Sequence, residues 1–351
     1  MTKEVKNTAL LLVLIILLLC GCKKNTKDII SSAPSVVTSS LPQSVVSETN
    51  EPYTLSTESE PGEPEKEPAA SFPAAAQPSP PQIAEEPKPE VTIPEPPAPP
   101  SINIGFTVND PYNTRGLSEV RCGYSFGVAS GGMPNSVSVN NQLKFDSLQG
   151  VTALALDTVS ADKRMYLTFD CGYEYNNLTA SVLDTLKEKN VKAAFFCTLD
   201  YIKKNPQLVH RMIDEGHIVG NHSATHANFS TISRTKMAEE IYIVYKYLQD
   251  NFGYTTDYFR FPEGVYTESA LELVSSVGCK SIFWSVAYAD WDTSKQPEPE
   301  SAFATVTSRY HSGAVILLHT VSETNNAILG RLIDQATAEG YSFKTLNDYY
   351  N

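Results

Sequence analysis

The pattern of hydrophobic and polar positions divides the chain into three stretches. An unbroken apolar run extends from Ala9 to Leu19, and a long segment, 31–100, has almost no large apolar residues. Residues 101–351 carry regular hydrophobic patterns, and only they offer enough apolar surface to offset the conformational entropy lost on folding. Their 251 residues suit one large domain.

From Arg164 onward, short apolar runs alternate with segments of helical periodicity. The runs that predict strands cover 165–169, 193–198, 218–219, 258–261, 281–286 and 314–318. Alternating strands and helices predict a parallel sheet with helices outside it, although periodicity alone does not distinguish a closed barrel from an open, doubly wound sheet. Segment 102–160 is rich in Gly, Asn, Ser and Val, and we expect irregular structure that covers the flank or floor of the sheet.

The start of the chain predicts export. Lys3 and Lys6 precede the apolar run, which is shorter than the ~20 residues that span a bilayer and is typical of a signal peptide. It ends at Leu19-Cys20-Gly21-Cys22, which resembles a bacterial lipoprotein box. We therefore expect a signal peptide over 1–22, a lipid on Cys22, and a protein anchored to the outer face of the cell membrane. An ordinary signal peptide and an uncleaved anchor are the alternatives.

Residues 23–100 predict a disordered stalk. Of the 23 prolines in the chain, 17 lie between Pro34 and Pro100, and residues 48–100 hold eleven Glu against two Lys. Proline favours the extended polyproline form and like charges repel, so this segment suits a stiff spacer that lets a tethered domain reach the wall. A linker without a selected length is the alternative. Residues 101–351 are also acidic, with 20 basic and 27 acidic residues, which argues against nucleic acid as a partner.

Polar residues follow the predicted strands at regular places. Five of them stand at the ends of five strands, namely Asp170, His222, Arg260, Asp290 and His319. In a barrel those ends converge on one face, where active sites lie. His226 follows His222 by four residues, so on a helical turn both imidazoles would face one cation. Each residue taken alone also has a structural explanation as a cap, turn or core residue, and Trp291 is either a wall for a sugar ring or part of the core.

Five motifs occur in order along the chain. They are Thr168-Phe169-Asp170, His222-Ser223-x-x-His226, Arg260-x-Pro262-x-Gly264, Asp290-Trp291 and Leu317-Leu318-His319. Together they resemble the polysaccharide deacetylase family, carbohydrate esterase family four, over about residues 160–350. The stretches 167–174 and 317–322 are most similar to its delta-lactam-biosynthetic, muramic-acid de-N-acetylase branch. The resemblance implies a distorted (β/α) barrel with a catalytic domain at 161–351 and an N-terminal extension, 101–160, packed on it.

The resemblance also implies a metal-assisted hydrolysis of an acetamide. Asp170, paired with Arg260, would take a proton from water, and His319, oriented by Asp290, would protonate the leaving amine. His222 and His226 would hold a divalent metal, with zinc expected and cobalt or manganese as alternatives. The residues expected to contact the substrate are Trp291, Glu263 and Gly264.

Two positions depart from the family pattern. Cys171 stands where most members have a second Asp as third metal ligand, and the muramic-acid branch also lacks that Asp. The Cys171 thiolate is one hypothesis for a soft third ligand, and a disulfide with Cys197 on the neighbouring strand is the other. With Cys122 and Cys279, three full pairings stay open. Glu263 stands where many relatives have Tyr and the muramic-acid branch has a basic residue suited to the lactyl carboxylate.

Three functions are compatible with the sequence. The first is deacetylation of N-acetylmuramic acid in peptidoglycan, for example during sporulation. The second is deacetylation of N-acetylglucosamine in peptidoglycan or another glycan, and the third is a non-catalytic wall-binding lipoprotein. The expected partners are peptidoglycan strands and, through the lipid anchor, the membrane; the sequence indicates no protein partner.

Overall fold

A computed structural model describes residues 101–351. The predicted signal peptide, the lipidation site at Cys22 and the stalk at 23–100 lie outside the described residues. Within 101–351, none of the helices combines the length and the apolar character needed to cross a bilayer.

The elements follow one another along the chain as strands and helices. The strands are β1 (Ser101–Asn103), β2 (Thr107–Asn109), β3 (Cys122–Gly123), β4 (Ala153–Leu154), β5 (Arg164–Cys171), β6 (Ala194–Cys197), β7 (Ile218–Asn221), β8 (Tyr258–Phe259), β9 (Val265–Tyr266), β10 (Lys280–Ile282), β11 (Ala314–His319) and β12 (Ser342–Lys344). The helices are α1 (Ser136–Ser147), α2 (Leu178–Glu188), α3 (Leu199–Lys204), α4 (Pro206–Asp214), α5 (Arg234–Phe252), α6 (Glu268–Ser276), α7 (Pro299–Thr307), α8 (Glu323–Ala338) and α9 (Leu346–Tyr350).

The main sheet is parallel and curled. Its strands run in the order β11-β5-β6-β7-β8-β10-β4, and β12 also pairs with β5. Beyond β10, Val286 bridges back to Ile316 on β11, which brings the two sides of the sheet together. The predicted distorted (β/α) barrel is therefore confirmed, and the open doubly wound alternative is wrong.

Side chains of β5 alternate between the two faces of the sheet, as a strand requires. Leu167, Phe169 and Cys171 belong to the outer core with residues of α2 and α8, so the intervening Thr168 and Asp170 face the barrel interior. Register places Asp170 beside His319 of β11. The carboxyl end of β5 thus presents a carboxylate inward and a thiol outward.

The prediction of irregular structure over 102–160 is wrong. This segment contains α1 and also β4, which pairs with β10 and belongs to the main sheet. The Gln142 side chain joins them, because its Oε1 accepts from the backbone N–H of Ala155 at 2.7 Å and its Nε2 donates to the Ala153 carbonyl at 3.1 Å. Helix α1 buries Ser138, Gln142 and Phe145, so its inner face lacks the apolar stripe from which a helix is predicted.

Candidate active site

Predicted site residues from several elements line one cavity of about 1030 Å³. Those that line it are Asp170, His222, His226, Glu263, Gly264, Trp291 and His319. Arg260 and Asp290 do not line it but are buried directly behind Asp170 and His319, to which they are hydrogen-bonded. One expected position differs, since Asp290 lies in the loop eight residues after β10 rather than at a strand end.

Arg260 follows β8 and is completely buried. Its Nη1 donates to Asp170 Oδ1 at 2.7 Å, and its Nη2 donates to Thr168 Oγ1 at 2.9 Å. Its Nε donates to the Ile282 carbonyl at 3.0 Å, and the guanidinium lies 4.1 Å from the centre of the Phe196 ring. This guanidinium is held by β5, β10 and β6 at once, so the position of the Asp170 carboxylate is fixed by the barrel itself.

The charge state of Asp170 results from opposing effects. Burial alone would raise the pKa of Asp170, but the Arg260 guanidinium, with smaller contributions from His222 and His319, lowers the pKa below its ordinary value. Asp170 is therefore ionised at neutral pH. Its Oδ2, which Arg260 does not engage, lies 3.6 Å from His222 Nε2.

The two histidines of the 222–226 segment meet through a loop rather than a helix. The prediction that they share a helical turn is wrong, because Ser223 and His226 have left-handed φ values of 66° and 57°. The loop is held by Asn221 Oδ1, which accepts from Ser223 N at 2.9 Å, and by buried Glu240, whose Oε2 accepts from Thr225 N at 2.7 Å. The imidazole centres nevertheless lie 5.0 Å apart.

Orientation of the His222 ring is fixed from behind. Its Nδ1 is 3.0 Å from the Arg260 carbonyl, which leaves Nε2 toward the cavity. Burial lowers the pKa of His222 to about 4, so its imidazole is neutral at neutral pH. A neutral imidazole with one nitrogen bound to a backbone carbonyl has the form of a metal ligand.

The second reactive group is His319, whose side chain is 23% exposed and lies at the end of β11. Its Nδ1 is 2.7 Å from Asp290 Oδ1, and its backbone N–H donates to Asp290 Oδ2 at 2.8 Å. Asn325 Nδ2 also donates to Asp290 Oδ2, at 2.6 Å. Burial lowers the pKa of His319, but the Asp290 carboxylate more than compensates, and the net result is a raised pKa.

The residues expected to contact substrate lie at the cavity wall. Trp291 is 58% exposed with its ring 6.1 Å from that of His319, so the core alternative for Trp291 is wrong. Glu263 is exposed and adopts a φ of 56°, which is uncommon for a residue with a side chain. Gly264 has a φ of 65°, and a Cβ there would lie 2.8 Å from Trp284, so this position requires glycine.

Cys171 does not reach the cavity. Its side chain is fully buried in the outer core, where Thr320 Oγ1 lies 3.6 Å from the sulfur. In the β5–β6 register it stands opposite Cys197, which is also fully buried. This geometry does not support the hypothesis of a thiolate ligand. Cys171 and Cys197 are adjacent, but both are free thiols, so the predicted disulfide is not present in the structure either.

The donors present fit a cation held by two imidazoles. Across residues 101–351, no group of three or more His, Cys, Asp or Glu side chains has the geometry of a metal site. His222 nevertheless presents a neutral, carbonyl-oriented nitrogen beside His226 and the Asp170 carboxylate. Water and substrate oxygens would complete the coordination of a metal there.

Sequence reasoning missed several residues that build this site. They are Asn325, which binds Asp290, Glu240, which holds the histidine loop, and Arg309 and Phe126, which line the cavity. None of them follows an apolar run in the sequence. Each reaches the site through tertiary packing, so no local pattern marks it.

Comparison with known proteins gives a consistent result. The family model described as "Polysaccharide deacetylase" matches residues 158–282, which include Asp170, His222 and Arg260. The peptidoglycan-N-acetylmuramic acid deacetylase PdaA of Bacillus subtilis is 40% identical over 193 residues, which cover 53% of this chain and 71% of that protein.

One further relative and one solved structure extend the comparison. The peptidoglycan-N-acetylglucosamine deacetylase PgdA of Listeria monocytogenes is 34% identical over 189 residues, which cover 54% of this chain and 39% of that protein. The solved structure of Bacillus subtilis PdaA, described as a family 4 carbohydrate esterase, superimposes with a TM-score of 0.60 at 35% identity. That superposition covers 66% of this chain and 97% of the other.

Proposed function

The chain belongs to the polysaccharide deacetylase family, whose members hydrolyse amide bonds, and we propose that it removes N-acetyl groups from peptidoglycan. One observation carries the proposal. A carboxylate held ionised by Arg260 and an imidazole whose pKa is raised by Asp290 stand on neighbouring strands and face the same cavity. These are the two proton-transfer groups that hydrolysis of an amide requires.

Asp170 acts as the general base in this proposal. Its lowered pKa leaves it ionised, and Oδ2 remains available to accept a proton from a water in the cavity. Arg260 holds the other carboxylate oxygen, so the carboxylate cannot rotate away. A fixed base costs little reorganisation when the water attacks the acetyl carbon.

His319 acts as the general acid. Its Nδ1 faces Asp290, so Nε2 is the nitrogen that can carry a proton to the leaving amine. Amines are poor leaving groups unless protonated, and the raised pKa keeps the imidazolium populated. The nearby Trp291 ring would position the sugar beside this nitrogen.

We further propose that His222 and His226 hold a divalent cation, for which zinc suits imidazole donors. When bound, such a cation polarises the acetyl carbonyl and lowers the pKa of water. A readout independent of activity is metal content by mass spectrometry, which we expect to fall in His222→Ala while the fold persists. Equal metal content in both proteins would contradict this assignment.

The preferred sugar is proposed to be N-acetylmuramic acid. The support is the 40% identity to a protein named as a muramic acid deacetylase, against 34% for one named as a glucosamine deacetylase. Glu263 supports the alternative sugar, since an anion at the cavity wall opposes a lactyl carboxylate. We also propose that the protein works outside the cell on a lipid anchor at Cys22, on the basis of its N-terminal sequence.

Incubation of the purified full-length protein with intact and peptide-stripped glycan, with and without chelator, tests the proposal. Mass analysis of the products should show chelator-sensitive loss of one acetyl group from muramic acid. The same loss from glucosamine would favour the alternative sugar. If neither wild type nor His222→Ala releases an acetyl group from either sugar with any metal, the result would favour the non-catalytic, wall-binding function.

A further inference from the structure

Arg309 is a cavity residue that the chemistry above does not use. It follows α7, is half-buried and lines the same cavity as Asp170 and His319. Its Nη1 donates to the Ala287 carbonyl at 2.5 Å, and within residues 101–351 this is its one side-chain hydrogen bond. The remaining donors of its guanidinium are therefore free to bind a ligand.

The charge of Arg309 also lacks a partner. Apart from Arg309 and the exposed Arg121, every arginine in residues 101–351 pairs with a carboxylate within 4.0 Å. A half-buried cation loses hydration without a compensating anion unless a ligand supplies one. Because this unpaired charge lies at the wall of the cavity, it suits binding of a negatively charged ligand better than stabilisation of the fold.

The charge of Arg309 is also opposite in sign to that of the carboxylates around the cavity. The other ionisable residues that line the cavity in the described part of the chain are histidines, tyrosines and the carboxylic acids Asp170, Asp200 and Glu263. Arg309 thus carries the one permanent positive charge of this lining. A negatively charged substrate group would be repelled by Glu263 and attracted to Arg309.

We propose that Arg309 is a specificity-determining residue that binds the lactyl carboxylate of a muramic acid unit. A guanidinium matches a carboxylate in a two-point hydrogen-bonded geometry. Glucosamine has a hydroxyl at the corresponding position and offers no charge. The inference rests on the proposed function and explains how muramic acid is accepted although position 263 is acidic.

The test compares two forms of one substrate. Peptide-free glycan carries a free lactyl carboxylate, and methyl esterification of that glycan removes its charge and little else. We expect wild-type full-length protein to favour the free acid by roughly tenfold or more in kcat/KM, through KM. Arg309→Gln should abolish this preference by bringing kcat/KM for the free acid down to that for the ester, and Arg309→Lys should keep part of it. Arg121→Gln, which removes the other unpaired arginine, should behave as wild type.

A binding measurement separates this inference from the proposed activity. Calorimetry in a His319→Gln background measures affinity for the acid and the ester without turnover. Tighter binding of the acid that Arg309→Gln removes would support the inference even if no substrate is deacetylated. Equal binding of both forms would overturn it. Loss of rate on both forms in Arg309→Gln, with normal folding, would also overturn it and assign Arg309 to support of the Ala287 wall.

Discussion

The two groups proposed for proton transfer in the cavity have opposite charges. Asp170 is an anion set against a buried cation, Arg260, whereas His319 is a cation when protonated and is set against a buried anion, Asp290. Asp170 is nearly buried, and His319 is 23% exposed. In each case, the charge of the residue behind the group shifts the pKa of that group toward its charged form.

The two pairs differ in which residue changes its charge near neutral pH. Arginine stays protonated in proteins, so the partner of Asp170 has constant charge at any working pH. In the second pair, His319 is an imidazole, and its charge changes near neutral pH. We therefore expect the alkaline fall in activity to originate at His319.

The largest expected effect comes from removing Asp170, the proposed base. Asp170→Asn keeps the shape of the side chain and an oxygen for Arg260 but cannot accept a proton, so kcat/KM should fall by roughly 10²–10⁴-fold. Thermal melts would show whether Arg260, left without its anion, also lowers stability. Asp200→Asn, another cavity carboxylate, is the matched control and should stay within about twofold. Similar losses in both variants would contradict a special role for Asp170.

A smaller effect is expected at the partner of the acid. Asp290 raises the pKa of His319, so the protonated acid persists to higher pH in the wild type. In Asp290→Asn, burial is opposed only by the more weakly acting Asp170, so the pKa of His319 falls and the alkaline limb of the pH–rate profile should move to lower pH. At a fixed pH on that limb, activity should drop by roughly tenfold if the limb moves by about one pH unit. Asp292→Asn, in the same loop, should leave the profile unchanged; an equal movement of the limb there would refute the assignment.

The same contrast separates what the sequence predicts from what it does not. Asp170, His222, Arg260 and His319 were predictable because each stands at or directly after an apolar strand, and parallel strand ends meet on one face. Their close packing confirms the barrel. The shape of the histidine loop was not predictable, since the left-handed conformations of Ser223 and His226 depend on contacts with Asn221 and Glu240.

The surroundings of His319, the proposed acid, were less predictable from the sequence. Asn325 lies in the first turn of α8, where a polar residue after the N-cap Ser322 is common. Its role depends on the fold bringing α8 against the 290 loop, which no local pattern encodes. The outward direction of Cys171 follows from strand alternation only because β5 extends through residue 171, whereas the apolar run that predicted the strand ended at residue 169.

Asn325→Ala tests whether the hydrogen bond from Asn325 to Asp290 supports activity, and we expect a modest decrease in kcat. Asp290 would lose the donor at 2.6 Å but keep the backbone N–H of His319 and the imidazole. One hydrogen bond to a charged group is worth about 1.5–3 kcal/mol, and partial compensation should limit the loss in kcat to roughly three- to tenfold. Asn326→Ala is the adjacent control and should leave kcat unchanged. Movement of the alkaline limb of the pH–rate profile by as much as in Asp290→Asn would contradict this modest role.

The smallest effect is expected at Cys171, and it separates the inner face of β5 from the outer face. Because the thiol lies in the outer core beside Cys197, Cys171→Ala should leave kcat/KM and metal content within about twofold of wild type, while stability falls by roughly 1–2 kcal/mol. Cys197→Ala, which touches the same core from the next strand, should give the same pattern. Loss of metal in Cys171→Ala alone would mean that the wild-type Cys171 thiolate reaches the cavity. That result would contradict the register in which Cys171 is the last residue of β5 and pairs with Cys197.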